Sequence, residues 1–147
     1  MPVTQVRNAG LADADVVAGL TAEFAQSFAF RRADFDLSYP ALLADDQACV
    51  LVADDGRDPV GYLLGFWHLT FFANGPVGWV EEVMVRPDHR GRGIGRDLMT
   101  AFERWAAARG CAMIALATRR AAPFYLALGY QESAAYLRKV LSQEREL

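Results

Sequence analysis

Lysine is nearly missing: Lys139 stands alone among 15 basic residues, and no cluster of Lys or Arg forms a basic patch. With a net charge of −3, the chain has no general electrostatic attraction for nucleic acid. Only two cysteines occur, Cys49 and Cys111, both in apolar surroundings, which predicts reduced, buried thiols and not a disulfide. These two cysteines and two histidines, His68 and His89, are scattered without ligand spacing and predict no metal site. No apolar run approaches the ~20 residues of a membrane span, and the start, MPVTQVRNAG, lacks the basic and apolar regions of a signal peptide. The expectation is a cytoplasmic protein without membrane contact. At 147 residues, 53% hydrophobic and 22% charged, the composition predicts one globular domain, residues 1–147, able to bury its own core.

What is present is concentrated between Val80 and Trp105, VEEVMVRPDHRGRGIGRDLMTAFERW. The apolar run Val80 to Val85 reaches Pro87, which cannot donate to a ladder and ends the strand. Glycines follow at 91, 93 and 95. From Ile94 the apolar residues Leu98, Ala101, Phe102, Trp105 and Ala108 keep the 3.6-residue spacing of a helix with one buried stripe. Strand, glycine turn and amphipathic helix in that order form an anion site. Residues without β-carbons admit a ligand to the backbone, and the helix N-terminus offers free N–H groups at its positive end.

Spacing separates three phosphate-binding designs. A Walker loop needs Lys and a hydroxyl after its last glycine, and neither follows Gly95. The dinucleotide fingerprint needs G-x-G-x-x-G, whereas the turn reads G-x-G-x-G and no acid ends the next strand to hold a ribose; Arg119 and Arg120 are the residues that would meet a 2′-phosphate. The third pattern, R-x-x-G-x-G, is matched by Arg90, Gly93 and Gly95. Together with the strand, the long helix, the run Cys111 to Ala117 and the later APFYLALGY, it resembles the GCN5-related N-acetyltransferase (GNAT) family over most of the chain.

The resemblance implies an α/β fold: a mixed sheet with an antiparallel N-terminal meander and a splayed parallel strand pair, flanked by helices. The residues agree with that plan. Val3 to Val6 reads as a first strand, and Asp13 or Asp15 can cap a helix in which Val16, Val17, Leu20, Phe24 and Phe28 share a face. Pro40 opens a short helical stretch through Leu43. Ala48 to Ala53 and Val60 to Phe72 read as strands around the turn DDGRDP, and Asn74-Gly75-Pro76 turns the chain back. CAMIALA reads as a strand buried on both faces, Thr118 opens a short helix closed by Gly129, and Tyr136 to Leu141 is a last strand before a frayed SQEREL. Phe28, Phe30, Phe35 and Tyr39 fall where the family builds part of its acceptor site.

Acetyl transfer from a thioester to an amine needs a grip on the donor, a free-base amine, oxyanion stabilisation and a proton for the leaving thiolate. For the grip on acetyl-CoA, the resemblance implies backbone N–H groups of Gly91, Arg92, Gly93, Ile94, Gly95 and Arg96 on the pyrophosphate, with charge from Arg90, Arg92 and Arg96. It implies the backbone of Met84, Val85 and Arg86 on the pantetheine arm, beside a bulge that splays the strand, and Thr118 where many relatives carry Asn. Phe124, Tyr125, Gly129 and Tyr130 match F-Y-x-x-x-G-[FY], which makes Tyr125 the candidate acid. Glu81 and Glu82 are the candidate bases. Strand alternation sends them to opposite faces unless the bulge changes the phase, and Glu82 is preferred.

The expected reaction is direct transfer to a small cationic amine or an amino acid, with Arg31, Arg32 and Arg57 available to an acceptor carboxylate. The alternatives are a protein or peptide N-acetyltransferase and a non-catalytic acyl-CoA-binding regulatory module. A nicotinamide oxidoreductase would need the fingerprint found defective above. Homodimerisation is frequent in the family, and the aromatic hairpin at Phe71 and Phe72 is the expected contact.

Overall fold

The computed structural model describes residues 4–25 and 27–142. Five strands form one sheet in the order β1-β2-β3-β4-β5: β1 Gln5–Asn8, β2 Ala48–Asp54, β3 Pro59–Thr70, β4 Gly75–Val85 and β5 Ile114–Leu116. The first four pair antiparallel in sequence order, and β5 joins β4 in parallel after a crossover through the long helix. Helices α1 Ala14–Phe24 and α2 Arg32–Leu43 cover one face. Helix α3 Ile94–Ala108 covers the other, and α4 Ala122–Ala127 follows β5.

Alternation along the strands divides the core. Leu51, Ala53 and Leu63 point to α3 and meet Ile94, Leu98, Met99 and Phe102, while Val52, Tyr62 and Met84 point to Val17, Leu20 and Tyr39 on α1 and α2. The apolar period read from Ile94 is therefore the stripe that α3 buries as far as Trp105, while Ala108 at the helix end is exposed. Phe102, fully buried, lies so close to β3 that a β-carbon on Gly65 would fall 2.3 Å from its ring, so only glycine permits this approach.

One irregularity sets the geometry of the site. Leu64 pairs with Glu82 and Gly65 with Val80, which leaves Glu81 as the extra residue of a β-bulge in β4. Val80 and Val83, three apart, consequently pack into the same α3-side core. The pairing of β4 with β5 stops at Val80↔Leu116, one residue before the bulge. Arg86 donates its backbone N–H to Val60 at 2.8 Å, so the N–H groups of Val83 and Val85 point to the opposite edge, where β5 has already ended. The splayed pair expected from the resemblance is thus present.

Several expectations need correction. The first strand runs Gln5–Asn8, and residues 1–3 lie outside the described ones. Phe28 lies beyond the end of α1, and Pro40 sits inside α2, near its end, where its missing N–H costs a single helical bond. Asp13 precedes α1 without a side-chain cap bond; its carboxylate instead accepts from Arg7 at 2.8 and 2.9 Å and from the Gly10 N–H. CAMIALA contributes only Ile114–Leu116, half-buried, because β5 is the edge strand with one neighbour; Cys111 is half-buried too, while Cys49 is in the core. Tyr136 to Leu141 forms no strand. No strand of the sheet takes it as a partner, and Tyr136, Leu137 and Leu141 stay 62%, 88% and 90% exposed. The expected frayed tail lies, from residue 143, outside the described residues. Phe71 and Phe72 are fully and largely exposed at the hairpin tip.

Candidate active site

A cleft of about 940 Å³ opens where β4 and β5 separate, a size suited to a small molecule. One wall is β4 from Trp79 to Val83; the other is Leu116 to Ala121 with Tyr125 from α4. The end of α1 and the loop at Ser27 and Phe28 form a third side, and Tyr136 and Arg138 reach in from the C-terminal segment. A shallower depression of about 450 Å³, around Gln47, Phe66 and His68, shares only Trp79 with the cleft and holds none of the expected site residues.

The bulge brings both acids to this cleft and gives them different surroundings. Glu81 is exposed, and its Oε2 accepts from the Trp79 indole N–H at 2.6 Å. Glu82 is half-buried, and its Oε1 accepts from the Tyr62 hydroxyl at 2.7 Å. Burial raises the Glu82 pKa above the ordinary carboxyl value; the hydrogen bond from Tyr62 opposes the rise, and the neighbouring Glu81 charge adds to it. Tyr62 is itself a buried phenol whose pKa is raised by burial and then by Glu82, so it remains a donor.

Tyr125 also lines the cleft. Its ring is wedged edge-on between Phe124 and Tyr130, at centroid distances of 4.9 and 6.0 Å. Burial raises its pKa, which keeps the hydroxyl protonated. Among the described residues that hydroxyl has no hydrogen-bond partner, whereas the Tyr130 hydroxyl is committed to Glu103 at 2.7 Å. Thr118 Oγ1 accepts from the Ala121 N–H at 3.0 Å and keeps its own proton free to donate.

The glycine turn lies apart from this cleft, at the other end of the open strand edge. Gly91 and Gly93 have φ of +78° and +82°, with no atom within 4 Å of where a β-carbon would stand, so the backbone is accessible. Gly93 is the N-cap of the 15-residue α3, whose dipole and free N–H groups face outward there. Arg92 and Arg96 are exposed beside it. Ile94 directs its side chain into the core, leaving only its backbone for a ligand. Arg90 folds back instead: its Nε donates to the Val85 carbonyl at 3.0 Å, and the guanidinium lies 3.8 Å from Met84 Sδ. It steadies the end of β4 and lends the turn less charge than expected. Open strand edge, accessible turn and helix terminus together fit the pantetheine and pyrophosphate of acetyl-CoA. Among the described residues no group of His, Cys, Asp or Glu could hold a metal ion, and no helix is long and apolar enough to cross a membrane.

Other expected residues lie elsewhere. Of the four aromatics assigned to the pocket, Phe28 lines the cleft, joined by Phe24; Phe35 and Tyr39 stack at 5.1 Å, and the Tyr39 hydroxyl donates to Gly10. Phe30 packs against Phe35. Arg31, Arg32 and Arg57 are not at the cleft, and Arg32 is engaged by Asp15 and Asp36 at 2.6 and 2.8 Å. Tyr62 and Arg138 are the cleft and neighbour residues the sequence reading missed. Tyr62 becomes visible only once the register of β3 on β4 is known, and Arg138 only once the C-terminal segment is seen crossing the cleft.

A mixed sheet opened by a bulge, with a glycine turn leading into a helix at one end and a titratable cleft at the other, defines an acyltransferase of the acyl-CoA type. The profile described as "Acetyltransferase (GNAT) family" matches residues 17–130, and the chain belongs to that family. It is accordingly an acetyl-CoA-dependent acyltransferase. No curated protein matches the chain. Among solved structures, an integron cassette protein from the mobile metagenome of Cole Harbour Salt Marsh is 27% identical, with a TM-score of 0.84 over 94% of this chain and 91% of that one. Glucosamine-6-phosphate N-acetyltransferase from Arabidopsis thaliana is 17% identical, with a TM-score of 0.83 over 95% and 99%. The aminoglycoside N-acetyltransferase AAC(6′)-Iy in complex with CoA is 21% identical, with a TM-score of 0.81 over 93% and 95%.

Proposed function

We propose that the chain, acting as one domain, transfers an acetyl group from acetyl-CoA directly to the primary amine of a small molecule. The observation that carries this reading is the pairing of two protonation sites in one cleft: Glu82, half-buried and held by Tyr62, and Tyr125, protonated and with an uncommitted hydroxyl. Acetyl-CoA supplies the activated acetyl group and a thiol leaving group.

The chain's own residues do the rest. Accessible N–H groups at Gly91 to Arg96, with Arg92 and Arg96, hold the pyrophosphate at the head of α3, and the Met84 to Arg86 backbone offers the arm an open strand edge. The outward N–H groups of Val83 and Val85 are the donors available to a carbonyl oxygen on that edge. Glu82 draws in the ammonium and accepts its proton, directly or through water; a raised pKa makes it a better base than an ordinary carboxylate. Tyr125 donates to the departing sulfur, since a thiolate of pKa ~8.5 needs only a well-placed proton. Glu81, exposed and held by Trp79, adds negative charge at the entrance.

The confined cleft with its aromatic side chains Phe24, Phe28, Trp79 and Tyr136 favours a small acceptor over a protein lysine. Two proton-transfer groups in the cleft speak against a purely regulatory acyl-CoA-binding module. The test is thiol release from acetyl-CoA over a panel of amines, amino acids and peptides. Turnover on small amines is expected. Acetylation of peptides alone, or CoA binding without release on any amine, overturns the reading.

A further inference from the structure

We infer that the acceptor carries an anionic group, a carboxylate or phosphate, beside its amine, and that Arg119, Arg120 and Arg138 receive it. This rests on the amine-acetyltransferase reading above and narrows its substrate class.

The argument is one of charge placement within a single cleft. Both acids stand on the β4 wall. Facing them, Arg119 and Arg120 occupy the turn between β5 and α4, and Arg138 arrives from the C-terminal segment. Three guanidiniums from two separate segments therefore line the same 940 Å³ space as Glu81 and Glu82. All three are exposed, and among the described residues none has a carboxylate or hydrogen-bond partner. Elsewhere in the fold arginines beside acids are used: Arg7 joins Asp13 and Asp54, and Arg32 joins Asp15 and Asp36.

Like charges converge on one volume only at a cost, which an anionic ligand offsets; the planar guanidinium fork matches carboxylate and phosphate oxygens. The donor's pyrophosphate is not that anion in the arrangement described, because no residue from 86 to 96, the glycine turn included, lines the cleft. The cleft is thus negative where an amine must be held and deprotonated, and positive opposite. A molecule with an ammonium at one end and an anion at the other matches both walls.

The experiment measures kcat/KM for matched acceptors that differ only in the anion: a diamino acid against its carboxamide, and phosphoethanolamine against ethanolamine. Wild-type protein is compared with the single variants Arg119→Ala, Arg120→Ala and Arg138→Ala; all three side chains are exposed, so the fold is not at stake. The expected result is a preference of about 10- to 100-fold for the anionic member of at least one pair, the scale of one or two charge-assisted hydrogen bonds. That preference should collapse in at least one variant, with the KM for acetyl-CoA unchanged. Equal use of charged and uncharged members by wild-type protein overturns the inference and leaves the transferase reading standing. So does a rise in acetyl-CoA KM that is the same with both members of a pair, since the arginines would then serve the donor's phosphates. Absence of thiol release with every amine overturns the transferase reading and this inference with it.

Discussion

The Tyr62 hydroxyl reaches diagonally across the β3–β4 ladder to Glu82 at 2.7 Å, although the residue directly opposite Tyr62 is Met84. Diagonal neighbours on one face of an antiparallel pair are within reach of an aromatic side chain. Glu82 shares that face with Met84 by ordinary alternation, and the bulge at Glu81 places Val80, two residues before it, on the opposite face. A half-buried carboxyl is thereby given a donor that cannot itself ionise in the working range.

Tyr62→Phe tests that relationship. The hydrogen bond lowers the Glu82 pKa against the upward effect of burial, so its loss should move the acid limb of the kcat/KM profile to higher pH. Leaving the Glu82 oxygen unpaired should also cost about 1–3 kcal/mol, read as a lower denaturant midpoint at constant slope. An unmoved acid limb would mean that Glu82 is not the titrating base.

Glu82→Gln should show the same burial as stability. The folded protein holds the Glu82 pKa above its ordinary 4.5, so between 4.5 and the raised value the folded state binds more protons than the unfolded one. Stability contributed by the neutral acid is complete below that window and is lost as pH rises through the folded pKa. Glutamine stays neutral and keeps an acceptor for Tyr62. Thermal melts should therefore find the variant more stable than wild type at neutral pH, with the gap closing as pH falls below the ordinary value. Turnover should fall at the same time.

Helix α3 and the glycine turn were legible because their signals are local: an apolar period from Ile94 to Ala108 and glycines where φ is positive. The bulge was inferable only through the family resemblance, and its consequence, two consecutive acids lining one cleft, depends on a one-residue register shift that no local pattern encodes. Tyr62 was hidden because its reach to Glu82 depends on the pairing of β3 with β4, which no local pattern encodes. The expected strand at Tyr136 to Leu141 failed because an apolar, β-prone run says that a segment suits a sheet, not that an edge is available to it. Arg31, Arg32 and Arg57 were available to an acceptor carboxylate by residue type alone, whereas acids on α1 and α2 engage Arg32 and the cleft draws its arginines from the later part of the chain.

Gly65→Ala should be disproportionately damaging for the addition of one methyl group. The new carbon would fall within 2.3 to 2.9 Å of three atoms of the Phe102 ring, which is fully buried and stacked on Trp105 at 5.5 Å, so the ring has little room to yield. Overpacking of this kind costs about 1–3 kcal/mol. Because Gly65 also borders the bulge, the variant should lose activity beyond its loss of stability. Urea titration beside residual turnover at a fully folded temperature separates the two, and a variant of unchanged midpoint would mean that α3 can withdraw from the sheet without cost.

Tyr125→Phe isolates the proton donor. Phenylalanine keeps the ring between Phe124 and Tyr130, and since the Tyr125 hydroxyl holds no partner among the described residues, its removal breaks no hydrogen bond and should leave stability within about 0.5 kcal/mol of wild type. A purely structural tyrosine would show nothing further. As the acid for the departing thiol, its loss should lower kcat by about 10- to 10⁴-fold, with acetyl-CoA affinity little changed. The alkaline limb of the kcat profile should also change, because burial lifts the Tyr125 pKa above 10.0 and that titration disappears with the hydroxyl. Leaving-group chemistry gives an independent reading: a donor thiol of lower pKa needs less protonation, so an acyl thioester of a more acidic thiol should recover part of the lost rate in the variant. Wild-type turnover under conditions where chemistry limits the rate would reduce Tyr125 to a packing residue, and an equal loss with both thioesters would mean that it does not protonate the departing thiol.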